Sequence, residues 1–539
     1  MHRQKAQMRW LPPCPTVQPL QWSINSKSPY VHITFGQGGI FLSRKLPIFY
    51  SALLLTGVNL LLRFVGTSFQ VYLSGTIGAA GIGLLQLVMS VGSLAMTAAM
   101  AGIRTATMYL TAEELGKGRP KNVTWVLSGC FIYSILCSSC IGIALYNFAP
   151  KIAADWIGDI RTVAAIRMYA GCLPISCLCG VMTGYFTAAN RIGTLAIVEV
   201  AEQFLSLGTT MLLLTVWGGS SPAKACCCMI AGNAVGTCMT LASLICLRVR
   251  QRPDAGHRIK VSRRLTEAAV PLAFADNLKA GISTTENLMV PKRLALYTNV
   301  QDPLAAFGTV CGMVFPVLMF PAGILFALAE LLIPELARCA AAGSQTRICY
   351  LVRRSLRVAF LYGCIFGGLE FLLAKPFCLV LYKNAEAGKY LQRYALMIPM
   401  LYCDAITDAM TKGLGEQKAC VRYNILTSSL DVLFLFVLLP RYGMDGYLLS
   451  FFITHLLNFL LSLRRLLKIT GITLQLKLPA LGIFAAVLAI ILLHRVSSAF
   501  FQAVGYIGLF LSFLTLFGVV GKDDLVWLKG LTAKKHHDF

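Results

Sequence analysis

Charge is scarce in this chain, and negative charge scarcer still. Only 13% of its 539 residues are Asp, Glu, Lys or Arg, and 23 acidic residues face 48 basic ones, a formal net charge of +25. Ordinary soluble domains carry about a quarter charged residues, so a chain that is 57% hydrophobic with mean hydropathy +0.69 belongs to the membrane class. Catalytic and nucleotide motifs are missing as well. There is no GxxxxGKS or GxxxxGKT phosphate loop and no HExxH, and the seven histidines have no metal-like spacing. That excludes an ATP-driven pump and a zinc hydrolase, and the chain is read as a non-enzyme without cofactor or metal. No basic stripe is interleaved with aromatics on a polar face, which excludes nucleic-acid binding.

Cysteine is plentiful, at 19 residues, but is not organised as ligands. Cys137 and Cys140 form a CxxC and Cys226 to Cys228 are consecutive, yet neither group has nearby histidines or a matching second pair, so they read as small core residues. Residues 1–45 hold no acid and five prolines between Pro12 and Pro29. Without an apolar h-region this is not a signal peptide, and it is expected to be a disordered, basic cytoplasmic tail.

What the chain does have is long apolar runs. A span needs roughly 20 apolar residues, and on that measure about 14 transmembrane helices are expected. The expected fold is an all-α polytopic membrane protein with two pseudo-symmetric six-helix lobes and two further C-terminal helices. An N-lobe would occupy 46–247, a basic cytoplasmic linker 248–264, a C-lobe 265–463, two extra spans 464–520 and a cytoplasmic tail 521–539. Lys and Arg concentrate on alternate loops, above all in RVRQRPDAGHRIKVSRR, which puts both termini in the cytoplasm. The polar segment ATMYLTAEEL after Arg104 has the pattern of a short interfacial helix. AAGIGLLQLVMSVGSLAMTAAMAG from Ala79 is weakly echoed by AAFGTVCGMVFPVLMFPAGILFALAE from Ala305, which suits duplicated halves.

Ionisable residues inside spans are costly and mark functional sites. Arg63 stands near the middle of the first span, where a guanidinium can hold a phosphate bidentately, or else pair with Glu202 or Asp276. Leu265 to Pro291, at the start of the second half, carries Asp276, Lys279 and Glu286. Asp276 and Lys279 share a helix face and suit an intrahelical ion pair, while Glu286 falls near the outer mouth. Asp404, Asp408 and Lys412 form a charged stripe at helical spacing. Two carboxylates four residues apart in low dielectric resist being ionised together, so they suit a proton or sodium site, or a polar seam satisfied by neighbours. Pro174, Pro316, Pro321 and Pro399 are expected to kink their spans.

The segments ENLMVPKRL, FGTVCGMVFPVLMFPAGILFALAELLIPELA and IPMLYCDAITDAMTKGLGEQ resemble the polysaccharide-exporter branch of the multidrug/oligosaccharidyl-lipid/polysaccharide flippase superfamily. The likeness runs over about residues 50–520. It implies two lobes around a central cavity and alternating access for a lipid-linked, pyrophosphate-bearing saccharide. One departure stands out: the branch has a pattern like SRxLGFxYRxYLA, and this chain reads LRFVGTSFQVYLS, so Arg63 matches while Gln70 replaces the second basic residue.

The reading is a monomeric flippase of the bacterial plasma membrane that exports an undecaprenyl-pyrophosphate saccharide for cell-wall or spore-envelope assembly. Arg63, Arg104 and Lys279 would neutralise the headgroup. Glu202, Asp276, Asp404 and Asp408 would handle a coupling proton or sodium ion. The alternatives are a cation-coupled multidrug exporter of the same superfamily and a membrane glycosyltransferase or ligase acting on lipid-linked sugars. Membrane lipids are the remaining expected partners.

Overall fold

The computed structural model describes residues 48–100, 102–117, 119–218, 221–249, 262–473, 477–496 and 498–519. The tails expected at 1–45 and 521–539, and most of the linker expected at 248–264, lie outside those residues. Among the described residues every regular element is helical, as an apolar chain requires when hydrocarbon offers its backbone no other partners. In order these are α1 (Ile48–Met100), α2 (Ile103–Gly116), α3 (Val123–Lys151), α4 (Val163–Ala188), α5 (Ile192–Leu213), α6 (Pro222–Val249) and α7 (Ser262–Leu294). There follow α8 (Pro303–Thr309), α9 (Phe315–Leu318), α10 (Ala322–Ala341), α11 (Gln345–Tyr382), α12 (Ala385–Ala395), α13 (Ile398–Gly413), α14 (Gln417–Tyr442), α15 (Met444–Thr470), α16 (Lys477–Leu493) and α17 (Ala499–Leu516).

Nine of these stretches are long and apolar enough to cross a membrane, or ten if the bent pair Pro303–Leu318 and Ala322–Ala341 is one span. The shortfall from the expected number has specific sources. α7 carries too many polar groups, the α12–α13 run is broken, α16 is short, and α1 holds two expected spans in one helix. Large apolar side chains such as Ile132, Leu136, Ile143, Ile197 and Leu212 are exposed on the outer faces, where lipid is the natural solvent.

Glycines set the topology near the centre. Gly78, inside α1, has φ 69° and ψ 179°, a conformation that residues with a Cβ rarely adopt. Leu62 and Met96, from opposite sides of it, line one cavity, so α1 doubles back at Gly78 into two antiparallel arms. The second arm lies against α8 with backbones nearly touching. A Cβ at Gly83 would fall 2.3 Å from the Leu304 carbonyl oxygen, and one at Gly308 would fall 2.0 Å from that of Ala79.

The segment after the second arm forms a helix with one face on the bundle and the other exposed. α2 buries Ile103, Ala106, Thr107, Leu110, Thr111 and Glu114 and packs against α3, α4 and α7. Thr107, Thr111 and Glu114 lie on the buried face, whereas Arg104 and Thr105 are exposed; Glu114 accepts a hydrogen bond from Asn122 Nδ2 at 3.1 Å.

α7 packs on α1 and on α14, and so ties together the helices before and after the linker. Thr284 Oγ1 donates to the Ser90 carbonyl at 3.1 Å, and Asn287 Nδ2 to Ser90 Oγ at 3.0 Å. The prolines act as expected for the most part. Pro316 and Pro321 flank a 64° bend between α9 and α10, Pro399 opens α13, and Pro174 sits within α4.

Candidate functional site

Arg63 is half-buried on the first arm of α1, facing α10. Its guanidinium carbon stands 5.1 Å from the centre of the Phe326 ring, a cation–π distance, and Gly323 leaves the room: a Cβ there would meet Arg63 Cδ at 3.3 Å. Phe64 and Phe320 close the same seam, with ring centroids 6.4 Å apart. Neither acidic partner considered from sequence reaches Arg63. Glu202 accepts instead from Thr237 at 3.2 Å and Thr240 at 2.8 Å, and Asp276 is exposed. Among the described residues Arg63 forms no ion pair, so its donors are free for an anion.

Seven residues further along, Gln70 Nε2 donates to the Gly312 carbonyl at 3.0 Å, within the π-helical turn Val310–Val314. The position that carries a second basic residue in the resembled pattern is thus occupied by a clasp between the α1 arm and the segment joining α8 to α9.

The other two expected cations stand apart from Arg63 on neighbouring helices. Arg104 is exposed at the start of α2, within electrostatic range of Glu199. Lys279 is exposed on α7, about 8 Å along the helix from Thr284. Asp276 and Lys279 are both exposed and do not form the intrahelical pair their spacing suggests.

The acidic groups fall into three separate settings. Glu202 lines a cavity of about 430 Å³ together with Glu199, Gln203, Ser206, Asn233 and Thr237. That lining is acidic, and it suits a cation rather than a phosphate. The Asp404 and Asp408 stripe is divided between two partners: Asn458 Nδ2 donates to both Asp404 oxygens at 3.1 Å, and Asp408 pairs with Lys412 at 2.6 Å. Asp404 is met by a neutral amide and Asp408 by a cation, while Asp408 Oδ1 is buried with no hydrogen-bond partner among the described residues, a setting that fits the cation site and the polar seam alike.

The third setting was missed from sequence. Glu286 is half-buried rather than at a solvated mouth, and its carboxyl is within electrostatic range of Asp431 of α14. Asp431 is itself buried and accepts from Ser450 Oγ at 2.5 Å and from Thr454 Oγ1 at 3.2 Å on α15. The available signal was Asp431 itself, a lone acid in the apolar run SSLDVLFLF. Groups of three or more His, Cys, Asp or Glu able to hold a metal ion do not occur among the described residues.

Comparison with known proteins places this geometry. Residues 49–338 match the family model described as polysaccharide biosynthesis protein. Stage V sporulation protein B of Bacillus subtilis (strain 168) is 21% identical over 510 residues, covering 88% of this chain and 96% of that protein. Among solved structures, the lipid II flippase MurJ in an inward closed conformation superposes with a TM-score of 0.63 at 14% identity, over 87% of this chain and 98% of the other. An inward-facing multidrug resistance MATE family transporter of the MOP superfamily does so with a TM-score of 0.57 at 13% identity, over 82% of this chain and 100% of the other.

Proposed function

The chain belongs to the polysaccharide biosynthesis protein family, and from that premise we propose that it moves a lipid-linked, pyrophosphate-bearing saccharide across the bacterial plasma membrane by alternating access. In this reading residues 46–247 and 265–463 are the two lobes, and α16 and α17 are the extra spans. The positive-inside rule gives the orientation, with both termini cytoplasmic.

The observation that carries the reading is Arg63. An uncompensated guanidinium within the membrane-spanning part of a bundle is expensive unless an anion visits it, and Arg63 lies on the seam between the halves with its donors free. In this reading Lys279 and Arg104 supply the further cations that a phosphorylated headgroup meets while its tail stays in lipid. The likeness to a lipid II flippase supports a substrate of that kind.

For the coupling cation, the pair Glu286 and Asp431 is a better candidate than the Asp404 and Asp408 stripe, because two carboxyls share one site there and Ser450 and Thr454 add oxygens. Glu202 in its acid-lined cavity is the second candidate, and Asp276, exposed on α7, is the weakest. That same cavity favours the second reading, export of a cationic compound, as in the multidrug transporters of like fold.

The deciding experiment is reconstitution in liposomes with a fluorescent undecaprenyl-pyrophosphate saccharide. Wild type should accelerate leaflet exchange. Arg63→Ala removes charge-assisted hydrogen bonds of about 1.5–3 kcal/mol and should raise the half-saturating substrate level by about 10- to 150-fold. Exchange equally fast with and without protein overturns the lipid reading, and uptake of an organic cation in the same vesicles would install the second.

A further inference from the structure

A cavity of about 410 Å³ lies between the second arm of α1 and α3, outside the sites already described. Val91, Ala95 and Ala98 share one face of the arm, and Ile141, Leu145 and Phe148 share one face of α3, both sets at helix-stripe spacing. Ala95, Ala98 and Ala144 are too short to fill the gap between the two stripes. The volume falls within the range of sites that hold small molecules. From Ile141 to Asp155 the slot follows its helix for roughly 20 Å. One leaflet supplies roughly 15 Å of hydrocarbon, so the slot has the length of an acyl chain with its headgroup.

Only two of the lining residues are charged, and both stand at the same end. Lys151 closes α3, and Asp155 lies in the π-helical turn Ile152–Ile157 that follows, with Trp156 beside it. All three are exposed. Lys151 and Asp155 are four residues apart, yet among the described residues they form no ion pair. The other charges of this connection are engaged: Asp159 and Arg161 pair at 2.7 Å, and Lys292 of α7 donates to the Asp155 backbone carbonyl. The apolar slot therefore ends on one unengaged cation and one unengaged carboxylate. A tryptophan at that level suits the boundary between hydrocarbon and water.

We propose that this slot binds a zwitterionic phospholipid with a primary ammonium, phosphatidylethanolamine. One acyl chain lies between the α1 arm and α3, and the headgroup bridges Lys151 and Asp155. Its phosphate accepts from Lys151 Nζ and its ammonium donates to the Asp155 carboxylate, both charge-assisted hydrogen bonds. Side chains one helical turn apart stand about 5–6 Å from each other at Cβ, which a short phosphate-to-ammonium link can span. Charge chooses among the common lipids. An anionic headgroup would set a second negative charge beside Asp155, and a choline headgroup has no N–H to give it. The site takes from the transport reading only the orientation, which puts this end in the outer leaflet.

The test is native mass spectrometry of the full chain, delipidated in detergent and supplied with phosphatidylethanolamine, phosphatidylcholine or phosphatidylglycerol of identical acyl chains. Wild type should hold the first phosphatidylethanolamine several-fold more fully than either of the others. Asp155→Asn should erase the preference over phosphatidylcholine, and Lys151→Ala should weaken the binding of all three. Ala144→Phe fills the slot but keeps both charges, and it should lose the preferred lipid. Both charged side chains are exposed, so their variants should keep the wild-type thermal midpoint. Equal occupancy by the three lipids, a preference for phosphatidylglycerol, or a wild-type preference surviving in Asp155→Asn overturns the proposal. No saccharide carrier is present, so that failure leaves the transport reading standing, and failure of the Arg63 test leaves this site standing.

Discussion

Gly308→Ala is the sharpest perturbation of the contact between the second arm of α1 and α8. The added methyl carbon would start 2.0 Å from the Ala79 carbonyl oxygen and 2.6 Å from the Gly83 nitrogen, and both are backbone atoms that no rotamer change can move. Ordinary contact begins near 3.4 Å, so the arm and α8 must part by about 1.4 Å. Overpacking of that kind costs about 1–3 kcal/mol, which lowers the population of the zipped arrangement by about 5- to 150-fold relative to any open alternative. Hydrogen exchange in nanodiscs reads it directly: residues 79–90 and 303–312 should exchange faster. Gly208→Ala, whose new methyl meets open space, is the control for added helix propensity. If Gly308→Ala exchanges like Gly208→Ala over both segments, the zipped contact is not what holds this end closed.

Asn458→Leu removes both N–H contacts from Asp404 and leaves a carboxyl without its partner, which should cost about 1–3 kcal/mol and lower the thermal midpoint. If Asp404 belongs to a structural seam, transport per folded molecule stays unchanged; a changed ion dependence would return Asp404 to the coupling machinery. Outside the spans, Arg161 holds the Asp159 carboxyl below the usual carboxylate range through hydrogen bonds of 3.0 and 2.7 Å. A depressed carboxylate stabilises above its unfolded value, near pH 4, and that stabilisation is lost as pH falls through the folded one. Thermal midpoints of wild type and Arg161→Ala should therefore differ at neutral pH and converge below about pH 4. A difference that persists in acid would mean Arg161 stabilises by packing instead.

Apolar runs and the scarcity of charge were enough to make the chain a helical membrane protein, because hydrocarbon leaves the backbone few other choices. The prolines likewise announced the bend between α9 and α10, since the missing N–H is a local property. Motif likeness brought out the family, and Arg63 was visible as an isolated cation in an apolar run.

Partnership was another matter, because it depends on which helix lies opposite. Spacing alone suggested that Asp276 would bind Lys279 and that Asp404 and Asp408 would make either a cation site or a polar seam, yet the first two stand exposed with no ion pair between them, and Asn458 and Lys412 meet the other two. Glu286 looked like a mouth residue until α14 brought Asp431 against it, a residue 145 positions away in the chain. α2 looked amphipathic, and which side faces inward was set by packing: Thr107, Thr111 and Glu114 are buried where α3, α4 and α7 meet it, while Arg104, Met108 and Tyr109 are exposed. Composition and periodicity fix what a helix is; only the packing of helices distant in sequence decides which of its charges are compensated and which, like Arg63, are left with chemistry to do.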